Sequence, residues 1–215
     1  IEKLFKNGFS TGHGHLREPN DIQSYSALAC IAIQSNQNDQ HGGQSIPNFD
    51  YGIAPGVAKT YIKLYIKNMI NAIELYTSSL EVEELVKSAF KEIKEKYNLN
   101  PKLVNDEGYL EIEKEVLSKY FNDSDVIVKA QEFAKRKAEA ETDRCTFQAM
   151  EALIHNLNTM HSRAGAQVPF SSINYGTDTT PEGRMVVKNL LLATEAGLGN
   201  GETPIFPIQI FKVKE

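Results

Sequence analysis

Several short stretches of this chain carry residue types and spacings that could do chemistry. His13-Gly14-His15 could bring two imidazoles to one metal ion, but its glycines make a flexible loop and no third ligand is nearby in sequence. A zinc site needs at least three protein ligands, so no metal site is assigned. Asp39-Gln40-His41-Gly42-Gly43-Gln44-Ser45 is richer. Its paired glycines let a backbone approach a ligand closely, and His41, Gln44 and Ser45 supply hydrogen-bonding groups. A plain structural turn accounts for the same pattern, and the Gly-x-x-x-x-Gly-Lys-Ser/Thr spacing of a phosphate-binding loop is absent. Ser171, Ser172 and Asn174 fall on an apolar-flanked strand, where buried polar groups need partners from the sheet or from a ligand. That strand runs into Gly176-Thr177-Asp178-Thr179-Thr180 and then a helix start, the place where α/β proteins dock phosphate and other anions. Cys30 and Cys145 are far apart, each in an apolar or helical pattern without a neighbouring base. They read as unreactive residues of a reducing, cytoplasmic setting, neither a disulfide framework nor a catalytic thiol.

The elements that must hold these residues follow from periodicity. The segment Phe9 to Pro19 reads as loop. A helix is expected from Asn20 or Asp21 through Ile22, Tyr25, Leu28, Ala29, Ala32 and Ile33, dissolving into the amide-rich run Ser35 to Ser45. Pro55 is expected to open the next helix, carrying Val57, Tyr61, Leu64, Tyr65, Asn68, Ile70 and Ile73 to about Tyr76. Residues 78–143 are dense in Glu and Lys. Val82, Leu85, Val86, Ala89, Phe90, Ile93 and Tyr97 mark an amphipathic helix there, broken at Asn98-Leu99-Asn100-Pro101. Val116, Leu117, Tyr120 and Phe121 mark another, and Asn122 to Asp125 start a long one reaching Leu157. Strand alternation from Pro169 to Gly176 is followed by a Thr-x-x-Glu helix start at Thr179-Thr180-Pro181-Glu182. That helix reaches Leu198 before Gly199-Asn200-Gly201, and a last strand covers Pro204 to Val213. Strand, helix and strand with short links predict a parallel βαβ unit within a helix-rich α/β fold.

Composition sets the outer limits. The chain has 215 residues, 41% hydrophobic and 24% charged, enough for one core-forming unit or part of a larger one. No apolar run approaches the roughly 18 residues of a membrane span. A net charge of −5 argues against sequence-independent binding to nucleic acid, which needs a basic face. The N-terminal residues Ile1 to Lys6 have no secretory pattern. The chain does not begin with Met and closes on a strand, so it reads as a piece of something longer.

Four strings go beyond patterning: Phe9-Ser10-Thr11-Gly12-His13-Gly14-His15-Leu16-Arg17-Glu18-Pro19, His41-Gly42-Gly43-Gln44-Ser45-Ile46-Pro47-Asn48-Phe49-Asp50-Tyr51, His161-Ser162-Arg163-Ala164-Gly165-Ala166-Gln167-Val168-Pro169-Phe170 and Gly201-Glu202-Thr203-Pro204-Ile205-Phe206-Pro207. In this order they resemble the anaerobic (class III) ribonucleoside-triphosphate reductases, over about residues 1–77 and from about 145 onward, with the charged middle more generic. Another glycyl-radical enzyme, such as a formate-lyase relative, would not be expected to carry these strings.

The resemblance implies a ten-stranded α/β barrel with a finger loop through its centre. It implies reduction of nucleoside triphosphates to deoxynucleotides by glycyl and thiyl radical chemistry, with formate as reductant. The radical would be installed by a partner activase that uses S-adenosylmethionine and an iron–sulfur cluster. No catalytic residue is carried over to this chain. As the family is built, one active-site cysteine falls just before Ile1, and the thiyl-forming cysteine, the glycyl-radical glycine and a four-cysteine zinc site fall after Glu215. The N-terminal ATP-binding cone of many members is likewise not in the stretch. What carries over is barrel scaffold in a homodimer. Ser171, Ser172, Asn174, Thr177 and Thr179, with His41, Gly43 and Gln44, are expected on the substrate side. Lys63, and less strongly Arg17 and Asn20, are expected to meet a nucleotide effector (a deoxynucleotide or ATP) among helices near 20–37 and 55–77.

Overall fold

The computed structural model describes the chain apart from residues 1, 11–13, 41, 78–80, 106, 162–166 and 214–215. Its contacts divide into two compact units, one formed by Ile1–Lys59 with Asp143–Glu215, the other by Thr60–Thr142. The second takes in the later part of the helix after Pro55 as well as the charged segment read at 78–143.

The first unit begins with α1 (Glu2–Asn7) and a short antiparallel pair, β1 (Phe9–Ser10) and β2 (His15–Leu16). A hairpin thus stands where the sequence suggests only loop; each strand is two residues long, too short for alternation to register. Helix α2 (Ile22–Asp39) starts at Asp21, whose carboxylate accepts from the Ser24 N–H at 2.8 Å. It continues through the amide-rich run instead of dissolving at Ser35. Gln37 is buried on its inner face, Asn36 donates to Gln44, and the Gln40 N–H closes the end on the Asn36 carbonyl. Tertiary contact has overridden weak propensity.

Helix α3 (Phe49–Glu74) starts before Pro55 rather than at it. The Gly52 N–H bonds the Asn48 carbonyl to close a first turn, and Phe49, Asp50 and Ile53 are fully buried. A proline there forfeits only the bond to the Tyr51 carbonyl, and Pro55 stays exposed.

Strands β3 (Gln44–Ile46), β4 (Ser171–Tyr175) and β5 (Ile208–Phe211) form a parallel sheet in the order β3-β4-β5. The βαβ unit is as expected; β3, inside the supposed amide-rich loop, is the addition. Between β4 and β5 runs α7 (Pro181–Ala196), capped by Thr180, whose Oγ1 accepts from the Gly183 N–H at 3.1 Å. The cap is therefore Thr180 and not Thr179, which leaves Glu182 one place too early to close a capping box. The helix also stops sooner than Leu198, at Gly197, whose φ of 75° is the left-handed conformation glycine permits. The last strand is likewise shorter than Pro204 to Val213, because Asn158 on α6 (Ser124–Thr159) holds the preceding segment. Its Oδ1 accepts from the Ile205 and Phe206 N–H groups.

The second unit is helical. Helix α4 (Val82–Tyr97) buries Val82, Val86, Ala89, Phe90 and Ile93, and ends at Asn98 in the left-handed region. After the Asn98–Pro101 break comes α5 (Glu107–Leu117), with Tyr120 and Phe121 just beyond its end. At its centre the carboxyl of Glu113 is completely buried. Tyr65 donates to Glu113 Oε1 at 2.9 Å and Gln131 Nε2 at 3.0 Å, while the Tyr109 hydroxyl faces the same carboxyl. Burial holds the Glu113 pKa above the usual carboxylate range against those three hydrogen-bonding groups. No described helix is long and apolar enough to cross a membrane.

Candidate functional site

Side chains alternate along a strand, so β4 sends its residues to two faces. Ser171, Ile173 and Tyr175 are buried on one; Ser172 and Asn174 are half-buried on the other. Register carries the division across the sheet: Gln44 and Ile46 pair with Ser171 and Ile173, and Ser45 pairs with Ser172. On the far side Ile208 and Ile210 pair with Ser172 and Asn174.

The first face is covered by helix. Tyr175 donates to Gln209 Oε1 at 3.0 Å, and Gln209 Nε2 donates to Thr194 Oγ1 on α7 at 2.6 Å. The second face, built from Ser45, Ser172, Asn174, Ile208 and Ile210, is open, with Ile208 56% and Ile210 45% exposed. Parallel sheets are ordinarily buried on both faces, so an open one bearing serine and asparagine is the strongest candidate site in this unit. Asn174 Oδ1 is buried there without a hydrogen-bond donor. Ser171 Oγ is also buried and unpartnered, but it lies on the helix-covered face. The strand therefore separates Ser171 from Ser172 and Asn174.

At the amino ends of the strands, Gly43, Gln44, Ser45, Phe170, Ser171, Ser172, Phe206 and Ile208 enclose a hollow of about 230 Å³. It brings together Gly43, Gln44, Ser171 and Ser172 of the sequence-derived set. Gln44 is committed internally: it is buried, its N–H bonds the Phe170 carbonyl at 2.8 Å, and its Oε1 accepts from Asn36. His41 lies outside the described residues.

At the carboxyl end the turn is already filled. Asp50, fully buried, accepts through Oδ2 from the Gly176 N–H at 2.8 Å and the Asp178 N–H at 3.0 Å. Asp178 Oδ1 accepts from the Thr180 N–H at 2.9 Å. The amides that the sequence suggests for an anion are thus bonded to the protein's own carboxylates. Thr177, half-buried, and Thr179, exposed, remain at its surface. Asp50 is the residue that sequence reading missed. Its signal was slight: an aspartate in the first turn of a helix that the pattern starts later.

The effector candidates sit on two units. Lys63 is exposed on α3 within the helical unit. Arg17 and Asn20 are exposed in the other. The cation engaged beside Arg17 and Asn20 is Lys59, which bonds Glu18 and the Pro19 carbonyl and lies 5.3 Å from the Tyr25 ring centroid. Burial opposes its charge, but the bonds to Glu18 and Tyr25 outweigh that and raise its pKa. Among the described residues no three His, Cys, Asp or Glu side chains gather as a metal site would require. Cys30 is buried, which pushes its thiol up to about 11, and Cys145 is half-buried; both are on helices, α2 and α6.

A helix-rich α/β unit whose small parallel sheet has one helix-covered and one open face is compatible with a segment of an α/β enzyme. The chain belongs to the anaerobic ribonucleoside-triphosphate reductase family, whose model matches residues 1–215. It is 24% identical over 216 residues to the anaerobic ribonucleoside-triphosphate reductase of Enterobacteria phage T4, covering 100% of this chain and 26% of that protein. The enzymes of the same name from Escherichia coli K12 and Salmonella typhimurium LT2 are 21% and 20% identical, each with 22% of its length covered. The chain spans about a quarter of the curated relatives it matches.

Proposed function

We propose that this chain forms part of the catalytic barrel of an anaerobic ribonucleotide reductase, with the open face of β3-β4-β5 turned to a nucleoside triphosphate. The observation that carries this reading is the face itself, on which Ser172 and Asn174 stand half-buried between Ser45 and the exposed Ile208 and Ile210. The Asn174 amide offers hydrogen-bonding groups to a ribose hydroxyl or base amine, a hydrogen bond contributing about 0.5–1.5 kcal/mol. Ser172 beside it adds a hydroxyl, and Ile208 and Ile210 add an apolar wall. Family membership supports the rest: a ten-stranded barrel in which the outer edge of β5 is paired, formate as reductant, a homodimer, and an activase that installs the radical. The radical would supply the bond-breaking chemistry; the residues of this chain would bind and orient substrate and exclude water. Neither Cys30, buried in α2, nor Cys145, on α6, is a residue of the open face, so neither is given the thiyl role. The zinc of the family finds no donor set among the described residues.

Lys63, exposed on α3, belongs to the same proposal as a phosphate contact for a nucleotide effector. Calorimetry with dATP, dGTP and dTTP should show heat for at least one nucleotide, and at least tenfold weaker binding for Lys63→Ala. Equal affinity in the variant removes Lys63 from the proposal. For the substrate face, Asn174→Ala in the complete, activated reductase should raise KM for CTP about tenfold, as expected for about 1.4 kcal/mol of lost binding. The glycyl-radical signal should be unchanged, and an unchanged KM would remove Asn174 from the substrate site.

A further inference from the structure

Pro204 and Pro207 flank the approach to β5, and proline has no backbone N–H. Ile205 and Phe206 between them therefore supply the backbone donors of this stretch. Both go to one side chain. Asn158, near the end of α6, accepts the Ile205 N–H at 2.9 Å and the Phe206 N–H at 3.0 Å through Oδ1. Its Nδ2 donates to the Phe206 carbonyl at 2.5 Å and, on its own helix, to the Ile154 carbonyl at 2.7 Å. An asparagine amide can accept two such bonds and donate two, so its capacity is filled. Three of the four bonds fall on two consecutive residues of the approach.

What Asn158 fixes there reaches the open face. Phe206 is buried, and its ring meets that of Phe170 edge to face with centroids 4.9 Å apart. Phe170 stands directly before β4, and its carbonyl accepts the N–H of Gln44, the first residue of β3. The entries of all three strands are thus joined at one point. Phe170, Phe206 and Ile208 wall the hollow of about 230 Å³ beside Ser45 and Ser172. Ile208 is two residues beyond Phe206, so strand alternation sends the two side chains the same way. More than half exposed, Ile208 is not fixed by packing around its own side chain; the placing of β5 fixes it. Asn158 itself stands outside the lining of the hollow.

We propose that Asn158 is a positioning residue for the substrate. It anchors Phe206 to α6 and so sets Ile208 against Ser172, its partner in register, before a nucleotide arrives. A wall set in advance does not have to be ordered during binding, which would otherwise weaken affinity. The inference rests on the reading of the open face as the nucleotide's.

The test compares Asn158→Ala with Asn174→Ala in the complete, activated reductase. In Asn158→Ala, hydrogen exchange of the amides within 205–211 should quicken at least about tenfold, since their local opening is no longer opposed by the side chain. KM for CTP should rise about fivefold with kcat within about twofold, the pattern of lost binding rather than lost chemistry. The glycyl-radical signal should be unchanged. Unaltered exchange within 205–211 would overturn the proposal. So would faster exchange with an unchanged KM where Asn174→Ala raises KM, and the open face would then remain the nucleotide's. An unchanged KM in both variants would remove the reading and the proposal together. If Asn158→Ala does not fold, Asn158→Asp is judged by the same readouts; it keeps the two N–H bonds but sets an oxygen against the Phe206 and Ile154 carbonyls.

Discussion

Asp50 does for the β4–α7 turn what a bound phosphate does in many α/β proteins: a buried anion collects the N–H groups of Gly176 and Asp178. Hydrogen bonds to a charged group contribute about 1.5–3 kcal/mol, and removing the acceptor leaves two donors unmet. Asp50→Ala should accordingly cost about 2–5 kcal/mol in urea unfolding, since each buried donor left unmet costs about 1–3 kcal/mol. A cost below about 0.5 kcal/mol, the level of an ordinary surface change, would show that the carboxylate does not organise the turn. Gly176 is under a second constraint, with φ of 104° and a Cβ that would lie 2.4 Å from the Lys212 carbonyl oxygen. Composition announced neither requirement. Aspartate in a first helical turn and glycine after a strand each have commoner explanations, and their roles arise only when residues far apart in sequence meet.

At the scale of elements, regular and locally determined pieces were legible. Helix α4 has a clean apolar stripe, the long α6 has its start signal at Asp123, and β4, α7 and β5 follow one another with short links. What escaped was set by partners rather than by local pattern: three-residue β3, the hairpin β1–β2, and the amide-rich end of α2 held by Gln37 and Asn36. The cap of α7 gives a sharp check on the reassigned boundary. Thr180→Ala should cost about 1 kcal/mol in thermal or urea unfolding, whereas Thr179→Ala should stay within about 0.5 kcal/mol. Equal effects would restore Thr179 as the cap. Glu113 gives the helical unit a pH signature. Its folded pKa is raised above the ordinary 4.5 chiefly by burial, so the folded state holds this proton more tightly than the unfolded chain. Its contribution is fully present below the unfolded value and is lost as pH rises through the folded one. Hydrogen exchange of the α4–α5 amides should therefore slow on going from pH 7 toward 5, after correction for intrinsic rates, and Glu113→Gln should flatten that dependence. An unaltered dependence in the variant would place the titration elsewhere.

For the molecule as a whole, family membership was legible in four strings of sequence, and the family model extends the match through the charged middle as well. The candidate site was only half legible. Ser172 and Asn174 share the open face as residues of one strand must, yet Ser171 is turned to the helices, and Gln44 is committed to Asn36 and to the sheet. Which face of a parallel sheet stays open is not written in a strand's own residues; it depends on where α7 lies and on what pairs with β5. That the face bearing Asn174 meets the nucleotide can be tested by photo-labelling the complete reductase with an azido analogue of CTP and mapping the attachment by mass spectrometry. Label should fall within residues 168–180 or 208–211 and be suppressed by unlabelled CTP. Competable label confined to other segments would contradict the assignment.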